Sequence, residues 1–309
     1  MAPGSDDLSH VHEPVLVQEV LAYLALERMP TGLVVDGTVG AGGHATAILH
    51  AHPETRLVGL DRDPEILTHA AARLAPFGDR AQLVHGSYAD LDQVLMERAL
   101  PAPAGILLDV GVSSLQLDDL SRGFSFKGED ALPDMRFDPT GEEQTAADLV
   151  NHASERELAD ILHFHGEEPR ARAVARAIVH ARPITTIGQL REVVRRSAFR
   201  VRRHDAATRS FQALRIAVND ELGHFERGLR TALEALGEGG RLVVLCFQSA
   251  EERLVKDAFR EAKRAGRGRI LTKKPVRATQ EEIRRNPRAR PARLRAFEVS
   301  ENAAREGSK

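Results

Sequence analysis

Asp36, Asp61 and Asp109 each close a short apolar run, in Leu33-Val34-Val35-Asp36, Leu57-Val58-Gly59-Leu60-Asp61 and Leu107-Leu108-Asp109. After Asp36 comes a glycine-rich turn, Gly37-Thr38-Val39-Gly40-Ala41-Gly42-Gly43-His44. Glycines there let backbone approach a ligand closely and allow positive φ. The Gly-x-Gly-x-x-Ala spacing of Gly40, Gly42 and Ala45 would serve a dinucleotide equally well. The acids shift the balance. A carboxylate at Asp36 repels a pyrophosphate but suits a sulfonium and an amino group. Asp61 stands about where an acid holding ribose hydroxyls belongs. Each ionised acceptor contributes roughly 1.5–3 kcal/mol through charge-assisted hydrogen bonds. Tyr88, in Gly86-Ser87-Tyr88, and Asp109 add ligand candidates at further strand ends, where open α/β sheets bind ligands. For Tyr88 the competing role is plain packing.

The elements that must position these residues alternate. Helical periodicity over Val15 to Leu26 precedes the first strand. An Ala-rich helix from about His44 to His50, a second strand, and a helix from Pro64 follow. Gln82 to His85 and Gly105 to Leu108 repeat the strand pattern, which implies βαβ units and a parallel sheet. From Leu117 to about Val218 only helical stretches appear, so an all-helical insertion is expected there. The sheet resumes with a helix over Asp220 to Leu236, the turn Gly237-Glu238-Gly239-Gly240, the strand Arg241 to Phe247 and a helix over Ala250 to Ala265. Two extended candidates, Arg269 to Val276 and Leu294 to Val299, flank a basic loop and could close the sheet as an antiparallel hairpin. The expected fold is α/β, a Rossmann-like sheet with an inserted helical domain. Residues 1–116 and 219–309 would form the sheet domain and 117–218 the insertion.

Composition narrows the function. The 309 residues are 42% hydrophobic and 28% charged with a net charge of −2, so nucleic acid could be held only by local Lys and Arg clusters. A lone cysteine, Cys246, excludes a disulfide framework and a Cys-rich zinc site. His10 and His12 lie in the polar lead-in and His163 and His165 diverge on a helix, so no metal site is expected. No apolar run approaches the roughly 20 residues of a membrane span and no signal-peptide pattern opens the chain, which suits a cytoplasmic protein. The sequence leaves a homodimer open.

Further stretches are more specific than any glycine turn. They are His12-Glu13-Pro14-Val15-Leu16, Asp36-Gly37-Thr38, Gly42-Gly43-His44, Leu60-Asp61-Arg62-Asp63-Pro64 and Leu108-Asp109-Val110-Gly111-Val112-Ser113-Ser114. Gln116-Leu117-Asp118-Asp119, Arg122-Gly123-Phe124-Ser125-Phe126, Asp134-Met135-Arg136, Gly166-Glu167-Glu168, Phe211-Gln212-Ala213-Leu214-Arg215-Ile216 and Asn286-Pro287-Arg288-Ala289-Arg290 continue the series. In this order, from about His12 to Glu298, the chain resembles the bacterial 16S rRNA (cytosine-N4)-methyltransferases, the RsmH or MraW family. The resemblance implies a class I methyltransferase sheet, S-adenosylmethionine as cofactor, and a cytidine in the decoding region of 16S rRNA, naked or in the small subunit, as substrate. It implies that Gly42, Gly43, His44, Asp61, Tyr88, Asp109 and Gln116 contact the cofactor. Tyr88 stands where the family usually has Phe. Phe247-Gln248-Ser249 stands where the family has Phe-His-Ser, so Gln248 offers a hydrogen bond but no titrating base. Ala131-Leu132-Pro133 departs from the family pattern before Asp134.

A cytosine amine is a poor nucleophile, its lone pair delocalised into the ring, so transfer depends on orientation and on an acceptor for the N–H. Asp109 is the catalytic candidate. A carbon-5 route needs a thiolate, and Cys246 lies inside an apolar strand. The target base must be unstacked, for which Phe124 and Phe126 are stacking or lid candidates, with core packing expected of at least one. Arg136 is a further substrate candidate. Arg284, Arg285, Arg288, Arg290, Arg293 and Arg295, with Lys273 and Lys274, suit RNA phosphates, and Arg170, Arg172, Arg176 and Arg209 of the insertion could add to them. The rival readings are a nicotinamide-dependent oxidoreductase and a non-catalytic ribosome-assembly factor retaining the fold.

Overall fold

The structure is a computed structural model that describes residues 14–198 and 205–300. His10 and His12 lie outside these residues. The chain divides into two compact units, residues 1–111 with 224–309, and residues 112–223.

The first unit is built on strands β1 (Leu33–Asp36), β2 (Arg56–Asp61), β3 (Ala81–His85), β4 (Gly105–Asp109), β5 (Arg241–Cys246), β6 (Gly268–Ile270) and β7 (Arg293–Val299). They form one seven-stranded sheet in the order β3-β2-β1-β4-β5-β7-β6. β1 to β5 are mutually parallel, and β7 runs antiparallel to both β5 and β6. Successive side chains alternate between two apolar clusters: Val35, Ile106, Leu108 and Val244 enter one, Val34, Leu107 and Val243 the other. With both faces covered, the strands read as continuous apolar runs.

The helices in chain order are α1 (Val17–Leu24), α2 (Gly43–Ala51), α3 (Pro64–Leu74), α4 (Leu91–Glu97), α5 (Ser114–Asp118), α6 (Ala146–His152), α7 (Glu155–Phe164), α8 (Ala171–His180), α9 (Ile187–Ser197), α10 (Thr208–Asn219), α11 (Glu221–Ala235), α12 (Ser249–Arg264) and α13 (Gln280–Arg285). Phe225 and Leu229 of α11 and Phe259 of α12 pack on one sheet face, while Val20, Leu24, Ile48 and Leu49 of α1 and α2 pack on the other. α3 starts where Asp63 accepts from the N–H groups of Glu65 and Ile66, with Pro64 as its first residue.

The second unit has its own core, with Val150, Leu158, Leu162, Val174, Ile178, Leu190, Val194 and Leu214 fully buried. Capping boxes open α5 at Ser113, α6 at Thr145 and α7 at Ser154. The unit begins five residues earlier and ends five later than the 117–218 expected, and α5, capped by Ser113, runs across the expected boundary.

The closing hairpin differs from expectation in detail. β6 covers only Gly268–Ile270, and Val276 meets Leu294 through an isolated bridge. The segment expected as a basic loop holds α13, capped by Thr279, and a short 3-10 turn at Pro287–Ala289.

Candidate cofactor and active site

The strand order makes the site. Chain connections leave β1 and β4 in opposite directions along the sheet, so the carboxyl ends of this adjacent pair form the switch point where open α/β sheets bind ligands. Asp36 ends β1, Asp109 ends β4 and Asp61 ends the neighbouring β2.

Backbone donors fix the acids. Thr38 joins two of them: its N–H donates to Asp36 Oδ1 at 3.2 Å, and its Oγ1 accepts from the Asp109 N–H at 2.6 Å. Asp61 Oδ2 accepts from the Gly40 N–H at 2.9 Å and Oδ1 from the Asp63 N–H at 3.0 Å. The turn reaches Asp61 because Gly40 and Gly42 take φ of 53° and 80°, a region glycine enters without strain.

Burial makes these charges costly. Desolvation raises Asp36 and Asp109 to about 7 and Asp61 to about 6, despite the hydrogen bonds that lower Asp36 and Asp61. Asp36 Oδ2 is buried with no hydrogen-bond partner. His44, at the first turn of α2, donates from Nε2 to the Val15 carbonyl at 2.8 Å. Because a carbonyl only accepts, Nε2 carries the hydrogen, and Nδ1 faces Asp109 Oδ2 at 3.6 Å. Desolvation also lowers the His44 pKa, so the imidazole offers the acids little positive charge. A rim of carboxylates, Asp36 buried with one partnerless oxygen and Asp61 and Asp109 half-buried, fits a ligand that brings cationic and N–H or O–H donor groups of its own.

The remaining candidates are placed as follows. Tyr88 follows β3 with its ring against Gly228 of α11, where an added Cβ would run into the ring, so it is packed as well as close to Gly37. Gln116 is buried in the second unit, and its Oε1 accepts from the Ser113 N–H at 2.9 Å. Phe124 and Phe126 are half-buried against that unit's core, Phe124 stacked on Phe137 and Phe126 edge-on to Phe211. The Arg136 guanidinium grips Asp134 with Nε and Nη2 at 2.8 and 2.9 Å, a pairing that raises its pKa, and donates to the Gly141 carbonyl.

The basic segment is only partly available. Arg293 and Arg295 both bind Glu252, at 3.0 and 2.6 Å, and Arg295 is buried, so these two lock β7 to α12 and are withdrawn from the expected RNA contacts. Lys273, Lys274, Arg284, Arg285, Arg288 and Arg290 are exposed. Arg293 pairs with Cys246 at the carboxyl end of β5, and Leu245 of that strand pairs with Asp109. The residues just before Arg293 therefore leave the sheet at the edge that carries the acids.

Cys246 is fully buried, and burial raises its thiol pKa well above the usual range. Gln248 precedes α12 as its cap, its N–H donating to the buried Glu251 at 2.9 Å. No cluster of His, Cys, Asp and Glu suited to a metal and no helix long and apolar enough to cross a membrane occurs among the described residues. Sequence reasoning gave no role to Thr38, although it lies in the Asp36-Gly37-Thr38 stretch, nor to Glu282.

A Rossmann-like sheet whose switch point is rimmed by carboxylates defines a class I methyltransferase, with S-adenosylmethionine as its cofactor. The model of the MraW methylase family matches residues 9–300, and the chain belongs to that family. It is 46% identical to the ribosomal RNA small subunit methyltransferase H of Methylorubrum populi, over 95% of this chain and 88% of that protein. It is 47% identical to the protein of the same name from Nitratidesulfovibrio vulgaris, over 93% of this chain and 95% of that one. Among solved structures, the N-methyltransferase NodS from Bradyrhizobium japonicum aligns with a TM-score of 0.41 and 9% identity, covering 92% of this chain and 94% of that chain.

Proposed function

We propose that this protein methylates N4 of a cytidine in the decoding region of 16S rRNA. The observation that carries the reading is the carboxylate rim lying on the same sheet edge from which the exposed Arg288 and Arg290 emerge. Membership of the MraW methylase family and the shared name of its relatives support rRNA of the small subunit as substrate.

When bound, S-adenosylmethionine supplies an electrophilic methyl group on a positively charged sulfur. Asp36, with its partnerless oxygen, is suited to the cationic amino-acid end, Asp61 to the ribose hydroxyls, and Gly42, Gly43 and His44 to close approach around them. Tyr88 flanks the base, and Gln116 is assigned to the same ligand by the family pattern. Asp109 accepts a hydrogen bond from the cytosine amine, orients its lone pair and takes the proton the nitrogen sheds after alkylation. A carboxyl near 7 is matched to that task at neutral pH. The buried, protonated Cys246 argues against a carbon-5 route. The carboxylate rim argues against the nicotinamide reading, since a pyrophosphate would meet Asp36, and retention of a tuned Asp109 argues against a non-catalytic factor.

Mass spectrometry of 16S rRNA from a strain lacking the protein tests the proposal. One decoding-region cytidine should lose its N4 methyl, and purified protein with S-adenosylmethionine should restore it on isolated small subunits. An unchanged methylation pattern overturns it.

A further inference from the structure

The peptide group between Val15 and Leu16 is held from both sides. Its carbonyl accepts from His44 Nε2 at 2.8 Å, and its N–H donates to Glu282 Oε1 of α13 at 2.7 Å. In a trans peptide the C=O and N–H point in opposite directions, so one rigid plane spans the distance from His44 to Glu282. Leu16 is fully buried and takes φ 53°, a left-handed conformation that a leucine adopts only when its surroundings impose it. Its own carbonyl is committed to the Val20 N–H, so rotating the plane would break bonds on both sides.

We propose that Glu282 is a positioning residue for methyl transfer: by holding the Leu16 N–H, it keeps the Val15 carbonyl on His44 Nε2 and so presents His44 Nδ1, unprotonated, to Asp109. This rests on the role given to Asp109 above. The orientation matters because a neutral imidazole carries one ring hydrogen. With Nε2 occupied, Nδ1 can only accept, and from 3.6 Å, just beyond a hydrogen bond, it faces Asp109 Oδ2 as a lone pair that favours the protonated carboxyl over the anion. If the plane turns, the hydrogen can move to Nδ1 and Asp109 is held instead as its anion. The charged groups facing this pair are Asp36, which is raised by Asp109 and lowered by His44, and Asp61 beyond it. Glu282 thus sets which proton state Asp109 favours without touching substrate. α13 also carries the exposed Arg284 and Arg285, so a polyanion drawn to that helix pulls on the same tether.

The test compares E282A, E282Q and, as a control at the neighbouring, solvent-exposed position of the same helix, E281A. The first readout is 15N NMR of the His44 ring in the free protein. The wild type, E282Q and E281A should show a single Nε2-H tautomer, and E282A a mixture. The second is the pH profile of methyl transfer to small subunits: with Asp109 favoured as its anion, E282A should move the acidic limb to lower pH and lower the plateau kcat by up to roughly tenfold, because the carboxylate is then a weaker base, with KM for S-adenosylmethionine little changed. The glutamine variant keeps the acceptor oxygen and should restore both. A wild-type tautomer and profile in E282A overturns the proposal, as does a defect in E282Q equal to that in E282A. The tautomer is read without substrate, so failure of the cytidine assignment would leave that arm standing.

Discussion

His44, itself buried, turns Nδ1 toward Oδ2 of the half-buried Asp109 across 3.6 Å. An acid alone at a strand end would ionise near its ordinary value. Here burial holds Asp109 near 7, which makes the carboxyl both a usable acceptor and a sensitive one.

Replacing Asp109 with asparagine keeps the shape and removes the proton acceptor. kcat should fall by about 10²- to 10⁴-fold, the usual worth of a positioned acid–base group. Calorimetry with S-adenosylhomocysteine should show the variant still binding. Full turnover at unchanged cofactor affinity would remove Asp109 from the reaction.

Acidity should act on stability in an unusual direction. Asp36, Asp61 and Asp109 all have folded pKa values above the ordinary value of 3.8, so the folded chain binds more protons than the unfolded one in between. Their contribution is fully present below 3.8 and is lost as pH rises through about 6 to 7. Below pH 7 the ligand-free protein should gain from these groups on mild acidification, and D36N should flatten that gain in a thermal-unfolding series. Activity should move oppositely, rising through pH 7 as Asp109 ionises.

Arginines that look alike in the sequence should divide into two kinds. R288A and R290A should weaken RNA binding, with the salt dependence shallower by about 0.7 for each single-strand phosphate that is no longer neutralised. R295A instead strips a partner from Glu252 and should lower the unfolding temperature. Filter binding across a salt series, run beside thermal melts, separates them. An unchanged slope in the first pair rejects their role in holding RNA.

A C246A protein should methylate at the wild-type rate and lose only the small stability expected of a slightly larger core cavity, on the order of 1 kcal/mol. Loss of turnover in a folded C246A protein would revive thiolate chemistry.

The acids were legible because each ends a buried parallel strand, and such strands announce themselves as apolar runs between turns. The helices α6, α7 and α8 were legible as helical stretches in a segment that offers no strand-like run. What escaped notice depends on distant partners. Glu252 meets Arg295 across 43 residues and Glu282 meets Leu16 across 266, and no local pattern betrays either. α13 escaped because Ile283 is its only apolar residue, leaving no stripe to see. Nor does the sequence mark Gly228 as the hollow in α11 that receives the Tyr88 ring.

The bond from Leu16 to Glu282 also sets an order of events in the cell. The amino end of the chain leaves the ribosome first, yet its imposed backbone bend lacks its acceptor until α13 has been made. Until then the peptide plane that carries the Val15 carbonyl to His44 is held from one side only. On the proposed role of Glu282, the reactive centre is complete only in a polypeptide whose synthesis has passed that residue.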